Sequence, residues 1–104
     1  MIYKEGVIHL GRVPQMRAVD QHVDEVLAAH NELAVMTAGL DGKHSEWSLH
    51  KYGCASDYRT RYFSRDEAAE VASELSAVLK PIDRRYQVVL HAGSHIHVEW
   101  DMYA

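Results

Sequence analysis

The sequence predicts an α+β domain: a small antiparallel sheet with helices packed on one of its faces. Three observations carry this expectation. Two stretches, beginning at Pro14 and after Ser64, repeat apolar residues at helical spacing. Two runs near the end, 86–91 and 96–101, read as strands joined by Ala92-Gly93-Ser94. No internal repeat, low-complexity segment or linker interrupts the 104 residues, so one domain over 1–104 is expected.

The elements follow in order. Pro14 can open a helix, where its missing N–H is no loss. Met16, Val19, Val23, Val26 and Leu27 then mark one apolar side of a helix over 14–30. Residues 33–37 form a short apolar run with Val35 and Thr37, a strand. Gly39 to Gly42 reads as a turn. No period is clear over 43–53, which is expected to be loop. Residues 57–63 alternate and are rich in Tyr and Arg, as a strand would be. Ser64 and Glu67 make the S-x-x-E capping pattern. Ala68, Val71, Ala72, Leu75, Val78 and Leu79 follow with helical period, giving a helix over 65–79 that Lys80-Pro81 ends.

Composition narrows the function classes. Apolar residues make up 47% and charged residues 25%, an ordinary globular balance. Eleven basic and fifteen acidic residues give a formal charge of −4, which argues against nucleic acid as the main partner. The single cysteine, Cys54, excludes an intrachain disulfide and suits a reducing compartment. No run approaches the ~18 apolar residues of a membrane span, so no membrane insertion is expected. Met1 to Gly6 lacks the basic start and apolar stretch of a secretory signal. The expectation is a protein that is cytoplasmic when synthesised; a monomer is compatible with the sequence.

Histidine is the unusual residue. There are eight, and five fall in the segments 44–50 and 91–97. In the last strand His95, His97, Glu99 and Asp101 share one face, and Ile96, Val98 and Trp100 the other. The apolar set should meet the helices. The polar set should then face an open groove, where metal, substrate or water can satisfy it.

His50 and Asp57, seven residues apart with small residues between, and His97 from the last strand make a mixed N/O set of three. Such a set suits a catalytic zinc, which keeps its fourth position for water. Gly53 lets the chain bend back between His50 and Asp57. His95 lies roughly 7 Å from His97 along the strand, close enough to act as general base without being a ligand. Glu99 is the alternative base, or a partner that fixes a ring tautomer. His44 divides between a substrate-side residue and a loop histidine. His9, His22 and His30 read as surface, His91 as a strand-end residue, and Cys54 as a small buried packing residue. Arg59, Arg61 and Arg65, alternating with Tyr58, Tyr62 and Phe63, read as strand surface.

The pattern Ser48-x-His50-x-x-Gly53-x-Ala55-x-Asp57, with His95-x-His97 downstream, resembles the D-alanyl-D-alanine metallopeptidases of the LAS group of zinc proteins. The wider run, from Asp41 through Arg59-Thr60 to Asp101, is similar to small phage and prophage members. The resemblance implies a Hedgehog/DD-peptidase fold with zinc in the groove of the sheet. It implies zinc ligands at His50, Asp57 and His97, and substrate contact at Ser48. It further implies an endolysin-like peptidase that cuts D-amino-acid linkages of peptidoglycan stem peptides or cross-links and acts at the cell wall once released. Thr37 to Asp41 lacks the substrate-binding Arg of many members, and Ser94 stands where many carry an acidic base. These departures are the case for the alternative, a zinc-binding phage structural or binding module with little or no turnover.

Overall fold

In the computed structural model, residues 1–42 and 48–104 are described. The elements are β1 (Ile2–Tyr3), α1 (Pro14–Ala29), β2 (Val35–Ala38), a 3₁₀ turn (Leu49–Tyr52), β3 (Ala55–Arg59), α2 (Arg65–Leu79), β4 (Tyr86–His91) and β5 (His95–Trp100). Five strands form one mixed sheet in the order β1-β2-β3-β5-β4. All neighbours are antiparallel except β1 and β2, which run parallel. The fold is α+β, as expected, but the sheet is not purely antiparallel. The two-residue β1 is too short to show a period in the sequence.

Both helices start and stop for local reasons. Pro14 occupies the first position of α1. Asn31, at φ 61°, takes the left-handed conformation just past its end. At α2 the Ser64 hydroxyl accepts the Glu67 N–H at 3.2 Å, and Asp66 and Glu67 place negative charge in the first turn. The capping pattern in the sequence is thus a real cap.

Each helix buries one stripe. Met16, Val19, Val23 and Leu27 of α1, and Ala68, Val71, Leu75 and Leu79 of α2, are all nearly inaccessible. They pack with Met36, Tyr58, Tyr86, Ile96 and Val98 from the sheet into one core. Burying each large aliphatic side chain contributes about 1.5–3 kcal/mol. A smaller cluster of Leu49, Cys54 and Ala55 seals the start of β3, with Val13 and Trp100 against it. Cys54 is therefore the packing residue the sequence predicted.

β3 spans 55–59 rather than the predicted 57–63. The chain turns after Thr60, with the Phe63 N–H on the Thr60 carbonyl at 2.9 Å, and this turn feeds Ser64 into its cap. Tyr62 and Phe63 pack on the edge of the core from that turn, so their apolar character does not mark a strand. Within 43–53, read as loop, the 3₁₀ turn appears at 49–52; residues 43–47, including His44, lie outside the described residues. Among the described residues no helix is long and apolar enough to cross a membrane.

The register fixes what the site can be. Asp57 pairs with His97 and Arg59 with His95; on the far side of β5, Val89 pairs with His97 and His91 with His95. Ile96 and Val98 point into the core, so His95, His97 and Glu99 take the opposite face. Opposite Asp57 the ladder shifts, with Met36 facing Tyr58 and Ala38 facing Asp57. The irregularity falls beside Asp57, and bulges of this kind are common near sites.

Candidate metal centre

The site begins with a glycine. Gly53 closes the 3₁₀ turn at φ +73°, and a Cβ there would sit 2.8 Å from the Gly11 carbonyl oxygen and 2.9 Å from the Arg12 Cα. Only glycine allows both the backbone angle and the close approach of the 11–12 segment. The Val13 N–H then donates to the Gly53 carbonyl at 3.1 Å. The turn so held carries His50, which is 6% exposed.

The His50 Nδ1 lies 2.8 Å from the Gly39 carbonyl oxygen. A carbonyl only accepts, so Nδ1 carries a proton and Nε2 is the nitrogen turned toward Asp57. The Gly39 carbonyl is itself fixed. Asp41 Oδ1 accepts from the backbone N–H of Gly39 at 2.8 Å and of Ile8 at 2.9 Å. The Leu40 N–H donates to the Ile8 carbonyl at 2.8 Å.

His97 is treated in the same way from the other side. Its Nε2 lies 2.8 Å from Glu99 Oε1 and its Nδ1 lies 2.8 Å from Asp57 Oδ1. His50 Nε2 reaches the same Asp57 oxygen at 3.3 Å. The nitrogen of each ring that faces away from Asp57 is thus held by the protein, and the two facing nitrogens converge on one carboxylate. His50, Asp57 and His97 offer ligand atoms that all lie within 4.8 Å of one another. This group is close enough to bind a metal ion. Two imidazole nitrogens and a carboxylate oxygen, with oriented rings, form a mixed N/O donor set for a metal ion.

The electrostatics agree with the geometry. Burial opposes the charge on Asp57, but hydrogen bonds from His50 and His97 outweigh it and hold the carboxyl well below its usual range. Burial likewise opposes a proton on His97, yet the hydrogen bonds to Asp57 and Glu99 raise its pKa. The two carboxylates thus favour the protonated form of His97; a bound metal ion would supply the positive charge instead.

His95 stands outside the ligand group. Its Nε2 is 3.7 Å from Asp57 Oδ2, and its Nδ1 is 2.8 Å from the Ser94 hydroxyl. The His91 ring stacks on it at 4.5 Å. Burial, the largest influence, lowers its pKa, and the neighbouring histidines add to this against the pull of Asp57. His95 is thus a partly exposed imidazole beside the ligand group, with its neutral form favoured. Ser94, where an acid is common in the resembling group, here orients that ring.

The structure brings together His50, Asp57, His95, His97 and Glu99, all expected at the site. Ser48 precedes the 3₁₀ turn and makes no capping bond through its hydroxyl. The three histidines expected at the surface have partners: His9 stacks on Tyr3 at 3.8 Å, His22 Nδ1 lies 4.0 Å from Glu25 Oε2, and His30 Nε2 lies 2.7 Å from Glu74 Oε2.

Sequence reasoning missed Gly39, Asp41 and Arg12. Arg12 is 5% exposed; it donates twice to Asp20, at 2.9 and 2.6 Å, and to the Ser56 hydroxyl at 3.0 Å. It ties the 11–12 segment to α1 and to the strand that carries Asp57. Nothing in the local sequence flags it: its side-chain partners lie eight and forty-four residues away, and its one near partner is the His9 carbonyl, which any residue would offer.

Comparison of the sequence with protein-family models and with characterised proteins found no match.

Proposed function

We propose that this chain is a zinc-dependent peptidase of the D-alanyl-D-alanine metallopeptidase type, hydrolysing amide bonds at D-amino-acid linkages of peptidoglycan stem peptides or cross-links. The observation that carries the proposal is the convergence of His50 Nε2 and His97 Nδ1 on Asp57 Oδ1, at 3.3 and 2.8 Å, with the opposite nitrogen of each ring held by Gly39 and Glu99. Such orientation of both histidines is what a metal site needs and what a chance cluster of surface histidines lacks. The five matching positions of the first motif, with His95-x-His97 downstream, supply the substrate class by resemblance.

Zinc bound by His50, Asp57 and His97 would polarise the scissile carbonyl and lower the pKa of its water toward ~7. His95 takes the proton from the attacking water and returns it to the leaving amine. Ser94 and His91 hold the ring in place for both transfers. Glu99 acts through His97, fixing its tautomer, rather than on the substrate. Ser48 and His44 are the proposed substrate contacts.

One observation favours a second reading, a zinc-binding module with little turnover. Glu99, one of two candidate bases, is committed to His97, which leaves His95 alone for the chemistry. A peptidoglycan digest read by mass spectrometry separates the two. Wild type with zinc, wild type with chelator and His97→Ala are compared. Zinc-dependent release of defined muropeptides, lost in His97→Ala, is the expected result. One zinc per chain with no release from wild type would replace the peptidase with the binding module.

A further inference from the structure

A groove of about 410 Å³ opens beside Asp57 and His95, and its walls carry Lys4, Arg59 and Arg61. Three cations on one groove are unexpected in a chain of net charge −4. Arg59 is half-buried, while Lys4 and Arg61 are exposed. Among the described residues, none of the three side chains makes an ion pair or a hydrogen bond. The acid of that lining, Asp57, is already engaged by His50 and His97. The groove therefore holds positive charge with no counterpart among its described walls.

Strand period places two of the groups and the following turn the third. Asp57 and Arg59 share one face of β3, Arg59 pairs with His95 as Asp57 pairs with His97, and Arg61 lies in the turn just past the strand. Arg59 thus stands one rung from the candidate metal centre, roughly 7 Å along β3. Lys4 joins the lining from the end of β1, its backbone N–H tied to the Met36 carbonyl at 3.0 Å. An extended peptide lying across Asp57 and His95 would present its next residue to these cations.

We propose that Lys4, Arg59 and Arg61 form an oxyanion-binding subsite, so that the substrate is an acidic peptide whose carboxylate docks about one strand rung from the metal centre. This rests on the peptidase reading for its purpose, but not for its test. The carboxylate has two possible sources, a chain terminus or an acidic side chain. The first makes the protein trim peptide ends; the second lets it cut within a chain.

The test is binding, followed by NMR titration of the full chain in chelator, so that hydrolysis plays no part. The probes are N-acetyl-D-glutamyl-D-alanine, its C-terminal amide, and N-acetyl-D-glutaminyl-D-alanine. The doubly acidic probe is expected to bind at millimolar concentration and to shift the resonances of Arg59, Arg61 and Ser94, more weakly as salt is raised. Weaker binding of the amide assigns the site to a terminal carboxylate, and weaker binding of the glutaminyl probe assigns it to a side chain. The exposed pair Lys4→Gln/Arg61→Gln, with an unchanged fold by its amide spectrum, should weaken the acidic probe at least about fivefold. Arg59→Lys should keep most of the binding. Equal binding of all three probes, no binding of the acidic one, or an unaffected double variant would overturn the subsite even where the peptidoglycan digest succeeds.

Discussion

Glu99 Oε1 lies 2.8 Å from His97 Nε2, on the side of the ring away from Asp57. A carboxylate in that place sets the tautomer and makes the opposite nitrogen a better donor to a cation. The role is readable by substitution. Glu99→Ala should weaken zinc binding by about 10–100-fold and Glu99→Gln by less, with the fold unchanged. Competition against a chromogenic chelator measures this. Equal affinity in Glu99→Ala would show that the ring is held by packing alone.

The Gly53 backbone supports a second prediction. At φ +73°, with the Gly11 carbonyl 2.8 Å from where a Cβ would stand, Gly53→Ala combines a strained backbone angle with a clash against fixed main chain. A loss of about 1–3 kcal/mol is expected in denaturant unfolding. The turn also carries His50, so zinc affinity should fall along with stability. A variant as stable as wild type would mean that the 11–12 segment can move away freely.

These two sites show what the sequence could and could not reveal. Both helices were legible because their buried stripes recur with the helical period, and Ser64-x-x-Glu67 marks a local cap that forms. His50 and Asp57 were legible from their spacing across the turn into β3, and His97 from the alternation of polar and apolar residues along β5. Gly39 was not. Its contribution is a carbonyl oxygen, which every residue has, aimed by Asp41 and by the Ile8 segment thirty-one residues away. The same holds for β1, whose two residues pair with β2 only through the backbone, and for the end of β3, where tertiary packing of Tyr62 and Phe63 outweighs their strand-like composition. Local pattern encodes period and caps; it does not encode partners supplied by distant main chain.

Arg12 carries the third prediction. It sits at 5% exposure with Asp20 as its charge partner, and Asp20 also accepts from the Tyr58 hydroxyl at 2.7 Å. Arg12→Ala would leave the Asp20 carboxylate partly buried with one neutral donor. Removing one member of a buried pair costs about 3–5 kcal/mol. Arg12→Met together with Asp20→Leu should cost less than Arg12→Ala alone, because no charge is left stranded. Unfolding in urea compares the variants. An Arg12→Ala cost under about 1 kcal/mol would place this pair with ordinary surface ion pairs.

His30 gives a pH prediction away from the metal group. Its Nε2 bonds Glu74 at 2.7 Å, and Nδ1 lies 3.8 Å from Glu67, so the ring joins the end of α1 to α2. The hydrogen bond to Glu74 raises its pKa above the ordinary value, against a smaller opposing effect of burial. A histidine with a raised folded-state pKa binds its proton more tightly when folded. Its stabilisation is fully present below the unfolded value of about 6.5 and is lost as pH rises through the folded value. Wild type should therefore exceed His30→Gln in stability by up to about 1 kcal/mol at acidic pH, the carboxylates being half-exposed, and the gap should close as pH rises past that window. His97 titrates in both proteins, so the difference between their unfolding curves, measured with chelator at several pH values, isolates His30. A gap that widens with rising pH would mean that the neutral ring, not the charged one, makes the bond to Glu74.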